Sequence, residues 1–336
     1  MDRKSIVQFT HRADNFLEIG NSTYKQWVFR YTFLELEKDL GTKGDVSTDL
    51  LFADGKFQIT GKIVSRSEGI VAGVSEIKYF LVDSDSNFRP SLKGPFDINF
   101  KVNDGDFVKA GDVIMEITAD VHDLLAVERV VLNLLMRMSS VATFTGKIVD
   151  LVRNSANESS EGSANGSNVL IVPTRKTLWG LLDKKAVLIG GGGTHRISLT
   201  DAIILKDTHL DILKRNFDDV FARIEKGEND FRFLEIEVDN QKEVVEVAEK
   251  FSELTKNNKL NSIGVVMMDN MSAAEVSEAM QDVQSRACYD DVLFEASGGI
   301  TGENVLEYAR TGVDVISMGC LTRSVPNFDM GMEVVL

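Results

Sequence analysis

The chain has 336 residues, 43% of them hydrophobic and 26% charged, which is enough for one large α/β domain and a smaller one. Its formal net charge of -15 argues against nucleic acid or an anionic membrane as a partner, because the summed field repels both. No apolar run approaches the roughly 20 residues that span a bilayer, the opening MDRKSIVQFTHRADNF lacks an apolar signal core, and Cys288 and Cys320 show no CxxC spacing, so a cytoplasmic protein with buried reduced thiols is expected.

Residues 1–126 read as a mixed module. A helical KQWVFRYTFLELEKDL is followed by the strand-like segments FQITGKIVSR and IVAGVSEIKYFLV. In VNDGDFVKAGDVIMEITAD, turn signals at Asp104-Gly105 and Ala110-Gly111 separate short strands. From Leu124, LLAVERVVLNLLMRMSSVATFTGKIVDLV has a helical pattern that is apolar around most of its circumference, as expected of a bridging helix between two layers. The Ser/Asn/Gly-rich segment 154–168 reads as a flexible surface insertion.

Seven apolar runs then recur with helical spacers: VLIVPT, AVLIGG, AIILKD, FLEIEVD, IGVVMMD, VLFEAS and DVISMG. Continuous apolar strands alternating with amphipathic helices such as NQKEVVEVAEKFSEL and SAAEVSEAMQDVQSR predict a parallel sheet buried on both faces, and seven units suggest a barrel rather than an open sheet.

In a parallel barrel the site is built at the C-terminal strand ends. Those ends carry Arg175 and Lys176, His195 and Arg196, Lys206, Glu237, Asp269, Ser297-Gly298-Gly299 and Gly319. Five cationic or cationisable groups in an acidic chain make a focused positive pocket for a small polyanion. Glu237 and Asp269 suit a Mg²⁺ that keeps its waters and touches substrate phosphates. Glu235 competes with Glu237, one of the two being expected on the opposite face. The turns ASGGI and SMGCL let backbone N–H groups approach a phosphate, with a helix N-terminus near Thr301. Taken singly, any one of these residues is more commonly a solvated loop group or surface ion pair; the joint pattern is what points to a site. His209 suits helix capping as well as ligand contact, and Met267, Met268 and Met271 suit core filling.

At these residues the sequence resembles the quinolinate phosphoribosyltransferases. The matching pieces, in order, are EKDLGTKGDVSTDLLF, NDGDFVKAGDVI, ERVVLNLLMRMSSVAT, TRKT, GGGTHR, LTDAIILKD, EIEVD, MMDNM, EASGGI and TGVDVISMGCLTRSVP. The resemblance implies an α/β fold: an N-terminal α/β sandwich domain, residues 1–126 joined by 325–336, followed by an open α/β barrel at 127–324, as in type II phosphoribosyltransferases. It implies homodimers in which one subunit's first domain covers the partner's barrel. It implies that Arg175, His195 and Arg196 bind the pyridine dicarboxylate, with Arg129 donated by the neighbouring subunit. Lys176 and Lys206 would contact the substrates and the pyrophosphate of phosphoribosyl pyrophosphate, Glu237 and Asp269 would position Mg²⁺ and the ribose, and Ser297, Gly298, Gly299 and Gly319 would cradle the 5-phosphate. The implied activity is that of a decarboxylating pentosyltransferase of pyridine nucleotide biosynthesis.

The chain departs from the family pattern in places. TRKTLWGLL puts Trp179 where the family has Pro and shortens the loop, Thr194 and Thr208 stand where Asn is frequent, and Arg323 stands where His is common. The altered loop keeps open a transferase for nicotinate or another heterocycle without decarboxylation, and a non-catalytic binding protein on the same scaffold is the third reading. Intact Lys176, Lys206, Glu237 and Asp269 weigh against the last.

Overall fold

The computed structural model describes residues 2–53, 55–84, 91–158 and 169–335. The chain runs α1 (Arg3–His11), α2 (Ser22–Tyr31), α3 (Phe33–Leu40), α4 (Val46–Phe52), β1 (Gln58–Ser65), β2 (Gly69–Ile70), α5 (Val74–Lys78), β3 (Asp97–Phe100), β4 (Phe107–Val108), β5 (Val113–Asp120) and α6 (Val121–Glu158). It continues with β6 (Leu170–Pro173), α7 (Leu181–Ile189), β7 (Ile203–Leu205), α8 (Asp207–Ile212), α9 (Phe217–Lys226), β8 (Phe233–Val238), α10 (Gln241–Lys256), β9 (Ile263–Asp269), α11 (Ala273–Gln284), β10 (Val292–Ser297), α12 (Val305–Ala309), β11 (Val315–Met318), α13 (Cys320–Arg323) and β12 (Met330–Val335). Two compact units emerge: a barrel unit of Met1–Ala13, Lys147–Lys176 and Gly192–Arg323, and a sandwich unit of Asp14–Gly146, Thr177–Gly191 and Ser324–Leu336. The 126/127 boundary read from sequence falls inside the continuous helix α6, and residues 1–13 belong with the barrel. Helix α6 also runs through residues 154–158 of the expected insertion, whose remainder, 159–168, lies outside the described residues.

The sandwich unit is built on an antiparallel sheet of order β12-β1-β5-β3. Its C-terminal strand pairs Thr60 with Val335 through Ser65 with Met330. Two sequence readings change here. KQWVFRYTFLELEKDL is two helices broken at Thr32, whose φ of -124° and ψ of -73° are not helical. In IVAGVSEIKYFLV only Ile70, the end of β2, is strand, and most of the rest coils into α5 and the widened turn that begins at Tyr79. The cause is Asp104, whose carboxylate accepts the N–H groups of Gly73, Val74 and Ser75 at 2.7, 2.9 and 3.1 Å and so caps the first turn of a helix distant in sequence.

AVLIGG is likewise helix, not strand, forming the end of α7. Asp183 in its first turn accepts the N–H groups of Leu178 and Trp179 at 2.9 Å each, and pairs with both Nε and an NH2 group of Arg137 at 2.8 Å. The apolar Leu181, Leu182, Ala186 and Val187 are buried at helical spacing.

The barrel unit therefore has six parallel strands rather than seven, in the order β6-β11-β10-β9-β8-β7, with β6 and β7 as unjoined edges. Every strand contributes to one core: Leu170, Val172, Ile204, Phe233, Val265, Leu293 and Val315, together with Ala202 just before β7. Val7 of α1 packs into the same cluster. Burying such a side chain contributes about 1.5–3 kcal/mol. Helix α1 is fixed at its start by Asp2, which caps Ser5, and by Arg3, which grips Asp314 at 2.6 and 2.7 Å.

Candidate active site

Strand parity sorts the barrel residues. Register pairs Glu235 with Val265, Glu237 with Met267, Met267 with Glu295, and Asp269 with Ser297. Residues two apart share a face, and Phe233, Val265 and Leu293 lie in the core, so Glu235, Glu237, Glu295, Asp269 and Ser297 all lie on the inward face. The expectation that Glu235 and Glu237 point oppositely is thus corrected: they occupy successive layers of one face.

The outermost layer gathers the acidic and lysine groups. Lys206 Nζ, just beyond β7, donates to Glu237 Oε1 at 2.8 Å. Asp269 is half-buried at the end of β9, and its Oδ2 accepts from Asn270 Nδ2 at 2.7 Å. Among the described residues, one oxygen of each carboxylate is left without a protein donor. His209 caps α8, its Nδ1 accepting the Lys206 N–H at 2.9 Å, which is the capping role.

On the neighbouring strand ends, Gly298 and Gly299 are both left-handed, at φ of +90° and +64°. A Cβ at Gly298 would lie 2.5 Å from the Asn270 backbone nitrogen, whereas one at Gly299 would meet nothing within 4 Å. The turn therefore has open space on one side and close packing on the other. The expected helix N-terminus near Thr301 is displaced: residues 302–304 form a turn, and α12 begins at Val305. Asn304 fastens that turn by accepting the Thr301 N–H at 2.8 Å. Gly319 follows β11, and Arg323 Nε donates to its carbonyl at 3.4 Å.

The loop carrying His195 and Arg196 follows a helix and a glycine run, not a strand. It is held by the N-terminal helix: the His11 carbonyl accepts the N–H of Thr194 at 2.7 Å and of His195 at 3.1 Å. Arg232 donates to the His195 carbonyl at 3.2 Å and the Thr10 carbonyl at 3.1 Å and pairs with Asp201, which in turn accepts from the Ile197 and Ser198 N–H groups. His195, at φ of +52°, is buried. Its Nδ1 accepts the Arg196 N–H at 2.7 Å, and its Nε2 lies 3.1 Å from Glu295 and 3.4 Å from Glu235. Both ring nitrogens are engaged inside the barrel, so His195 anchors the loop in this arrangement. Burial opposes charge on the ring and the Glu295 and Glu235 carboxylates favour it, raising the pKa, but the Arg196 N–H aimed at Nδ1 at 2.7 Å keeps that nitrogen unprotonated and the ring neutral in this arrangement. Burial and the neighbouring Glu295 charge raise Glu235 to about 8, while Glu295, despite burial, is held well below the usual range by His195 and His11.

Arg196 is 5% exposed, its Nε has no hydrogen-bond partner, and among the described residues no carboxylate lies within ion-pairing distance. Among the described residues its one side-chain hydrogen bond runs from an NH1 group to the Ala202 carbonyl, at 3.4 Å. Burial and the repulsion of Arg175 lower its pKa. Arg175 and Lys176 are exposed in the turn after β6, and the Lys176 carbonyl is fixed by Thr322 Oγ1 at 2.9 Å. A buried guanidinium with no ion-paired carboxylate, repelled by a second arginine, has unused capacity for an anion.

Two further residues belong to the sandwich unit. Trp179 stacks on Tyr31 with centroids 4.6 Å apart, and a Cβ at Gly180 would strike the Trp27 ring at 2.1 Å, so the loop is locked into an aromatic stack. Arg129 is exposed on α6, with Glu128 3.9 Å away, and lines a recess of about 330 Å³ with Tyr31, Glu35, Lys38 and Trp179. Sequence reasoning missed His11 and Glu295; the parity of Glu295 with Ser297 would have found the second, and no local signal marks the first.

The profile of the family described as quinolinate phosphoribosyl transferase, C-terminal domain, matches residues 141–333, and its N-terminal domain counterpart matches 45–139. The chain is 34% identical over 301 residues to a probable nicotinate-nucleotide pyrophosphorylase [carboxylating] of Methanothermobacter thermautotrophicus, covering 89% of this chain and 96% of that protein. It is 31% identical over 310 residues to quinolinate phosphoribosyltransferase [decarboxylating] 1b of Nicotiana tabacum, covering 90% and 80%. The solved nicotinate-nucleotide pyrophosphorylase of Ehrlichia chaffeensis superimposes with a TM-score of 0.72 at 28% identity, covering 93% of this chain and 98% of that one. No helix among the described residues is long and apolar enough to cross a membrane.

Proposed function

The chain belongs to the quinolinate phosphoribosyltransferase family, and from that premise we propose that it transfers the phosphoribosyl group of phosphoribosyl pyrophosphate to quinolinate with loss of CO₂, yielding nicotinate mononucleotide and pyrophosphate. The observation that carries this reading is the buried Arg196 guanidinium, with no carboxylate partner, next to Arg175. Two adjacent cations match the two adjacent carboxylates of quinolinate. They hold the ring so that its nitrogen faces the anomeric carbon. The nitrogen lone pair forms the new C–N bond as the C–O bond to pyrophosphate breaks, and Lys176 and Lys206 meet the departing negative charge. When the neighbouring carboxylate departs as CO₂, its C–C bonding pair stays on the ring carbon, stabilised by the adjacent quaternised nitrogen, and that pair then takes up a proton from solvent.

The open turn at Gly298-Gly299, with Ser297 and Gly319, takes the 5-phosphate through backbone N–H groups. Glu237 and Asp269 would hold a Mg²⁺; their donor set fits, since one oxygen of each is free of protein donors and two carboxylates leave room for metal-bound water. When bound, Mg²⁺ supplies charge neutralisation at the pyrophosphate. His195 serves this site by anchoring the Arg196 backbone rather than by touching the pyridine. The working form is a cytoplasmic homodimer or higher homo-oligomer with shared sites, in which Arg129 reaches the pyridine of the neighbouring subunit.

Trp179 supports a second reading, because its stack with Tyr31 replaces the family's proline loop. In that reading nicotinate or another heterocycle accepts the phosphoribosyl group without decarboxylation. One assay separates the two: phosphoribosyl pyrophosphate, Mg²⁺ and quinolinate, following CO₂ and mononucleotide together, with nicotinate in parallel. Equimolar CO₂ and nicotinate mononucleotide from quinolinate is the expected result. Product from nicotinate alone would move the assignment to the second reading, and no product from either would overturn both.

A further inference from the structure

One layer beneath the strand-end site, the barrel holds a second cluster of ligating atoms. Single ligand atoms of His11, His195, Glu235 and Glu295 all lie within 4.8 Å of one another, and all four residues are buried. Hydrogen bonding explains only part of it. His195 accepts the Arg196 N–H on Nδ1, so its neutral ring carries the proton on Nε2 and donates it to Glu295 Oε2 at 3.1 Å. Four buried atoms then remain without a hydrogen bond: His11 Nε2, both Glu235 oxygens and Glu295 Oε1, the nearest contacts being His195 Nε2 3.4 Å from Glu235 Oε2 and Glu295 Oε2 3.5 Å from His11 Nε2.

The tautomer of His11 follows from Thr10. Either atom can donate in the 2.7 Å contact between Thr10 Oγ1 and His11 Nδ1; with the one hydroxyl proton directed to the Ile6 and Val7 carbonyls, 2.9 and 3.1 Å away, the ring is the donor. That leaves a lone pair on His11 Nε2, 3.5 Å from Glu295 Oε2. Lone pairs on three side chains converge around a single N–H donor, that of His195 Nε2; without a metal a proton on Glu235, whose pKa burial and Glu295 raise to about 8, offsets the rest, and a bound cation would take that proton's place. A divalent ion balances two carboxylates and two neutral imidazoles. The 3.5 Å spacing is also close to the ~3.4 Å between two ligands of a tetrahedral ion bound at ~2.0–2.1 Å.

We propose that His11, Glu235 and Glu295 bind a divalent first-row transition ion, Zn²⁺ or a near neighbour, with His195 orienting Glu295 through its 3.1 Å hydrogen bond. The site is distinct from the Mg²⁺ position at Glu237 and Asp269. His11 comes from a helix that precedes both family profiles, the first of which starts at residue 45. The ion would tie α1 to β8 and β10, and through the His11 carbonyl it would fix the loop that carries Arg196.

The test uses the full chain, purified without chelator from zinc-supplemented medium, with metal content measured by mass spectrometry. Metal-stripped protein is then titrated with Co²⁺, read by its visible d–d absorption. One equivalent per chain is expected, retained in a Glu237→Gln/Asp269→Asn variant and weakened more than 10-fold in Glu295→Gln and His11→Ala. His11→Cys should bind Co²⁺ with a new thiolate-to-cobalt charge-transfer band, which only direct ligation produces. Wild-type protein that takes up neither Zn²⁺ nor Co²⁺ stoichiometrically, or His11→Cys that binds Co²⁺ without that band, would overturn the proposal. If His11→Ala fails to fold, the wild-type stoichiometry and the His11→Cys spectrum still decide it.

Discussion

Adjacent glycines in the proposed phosphate turn should respond oppositely to the same methyl group. At Gly298 a Cβ would lie 2.4 Å from Asn270 Oδ1, 2.5 Å from Asn270 N and 2.8 Å from Asn270 Cα. Two of those atoms are backbone, and the nitrogen is tied to the Ser297 carbonyl at 2.9 Å, so they cannot swing aside. Left-handed backbone costs alanine about 1–2 kcal/mol, and overpacking adds about 1–3 kcal/mol. Gly298→Ala should therefore lower stability by roughly 2–5 kcal/mol, which at about 2–4 °C per kcal/mol is a Tm drop of roughly 4–20 °C. Gly299→Ala carries only the backbone cost, because nothing lies within 4 Å, yet its methyl occupies the open side of the turn. Its Tm should fall by no more than about 8 °C, while phosphoribosyl pyrophosphate binding weakens at least ~10-fold, or about 1.4 kcal/mol. Thermal melts and isothermal titration read the two effects separately. A Gly298→Ala protein melting within 2 °C of wild type would refute the packing argument, and wild-type ligand affinity in Gly299→Ala would refute the phosphate assignment.

Arg196→Ala should weaken quinolinate binding about 10–150-fold, the value of a charged hydrogen bond at about 1.5–3 kcal/mol, while titration with phosphoribosyl pyrophosphate shows less than ~3-fold change; equal losses would contradict the assignment. Glu76, buried and bonded to the Tyr24 hydroxyl at 2.6 Å, has its pKa raised by burial and by Asp104 from 4.5 to about 7. Because the folded form holds the proton longer, this contribution to stability is full below pH 4.5 and is lost as pH rises through about 7, amounting to about 3 kcal/mol. Glu76→Gln should flatten that slope in urea titrations between pH 5 and 8, and an unchanged slope would count against it. Arg129→Ala is expected to regain part of its activity when mixed with a Lys206→Ala protein, since heterodimers would hold one intact shared site; no rescue despite subunit exchange measured by native mass spectrometry would reject sharing.

The strand ends are legible because parallel strands buried on both faces read as short apolar runs, and six of the seven strand-end groups lie at the ends of such runs, the His195-Arg196 group being the exception. AVLIGG failed because a short apolar run is equally a buried helix segment, and the deciding contact, Arg137 with Asp183, comes from a residue 46 positions away. The α5 region failed for the same reason, its cap being supplied by Asp104. Glu235 and Glu237 are not on opposite faces, because residues two apart in a strand share one. His11 could not have been read at all: nothing in KSIVQFTH distinguishes a helix that enters a barrel core from one on a surface.

Strand β8 shows how one inward face can serve three environments. Phe233 sits in the apolar core, Glu235 in the buried histidine–carboxylate cluster and Glu237 in the outer layer with Lys206, each step of two residues advancing about 6.6 Å. The middle layer matters to the outer one through a single connection. His195 has its N–H taken by the His11 carbonyl, its own carbonyl taken by Arg232 and its ring held by Glu295, so the residue that follows starts from backbone fixed on three sides. Arg196 thus has much of its conformational freedom removed before an anion arrives, which lowers the ordering cost of binding. On this reasoning a loosened middle layer should appear at the outer site as weaker quinolinate affinity with an unaltered set of binding groups, and not as a change in which anion is preferred.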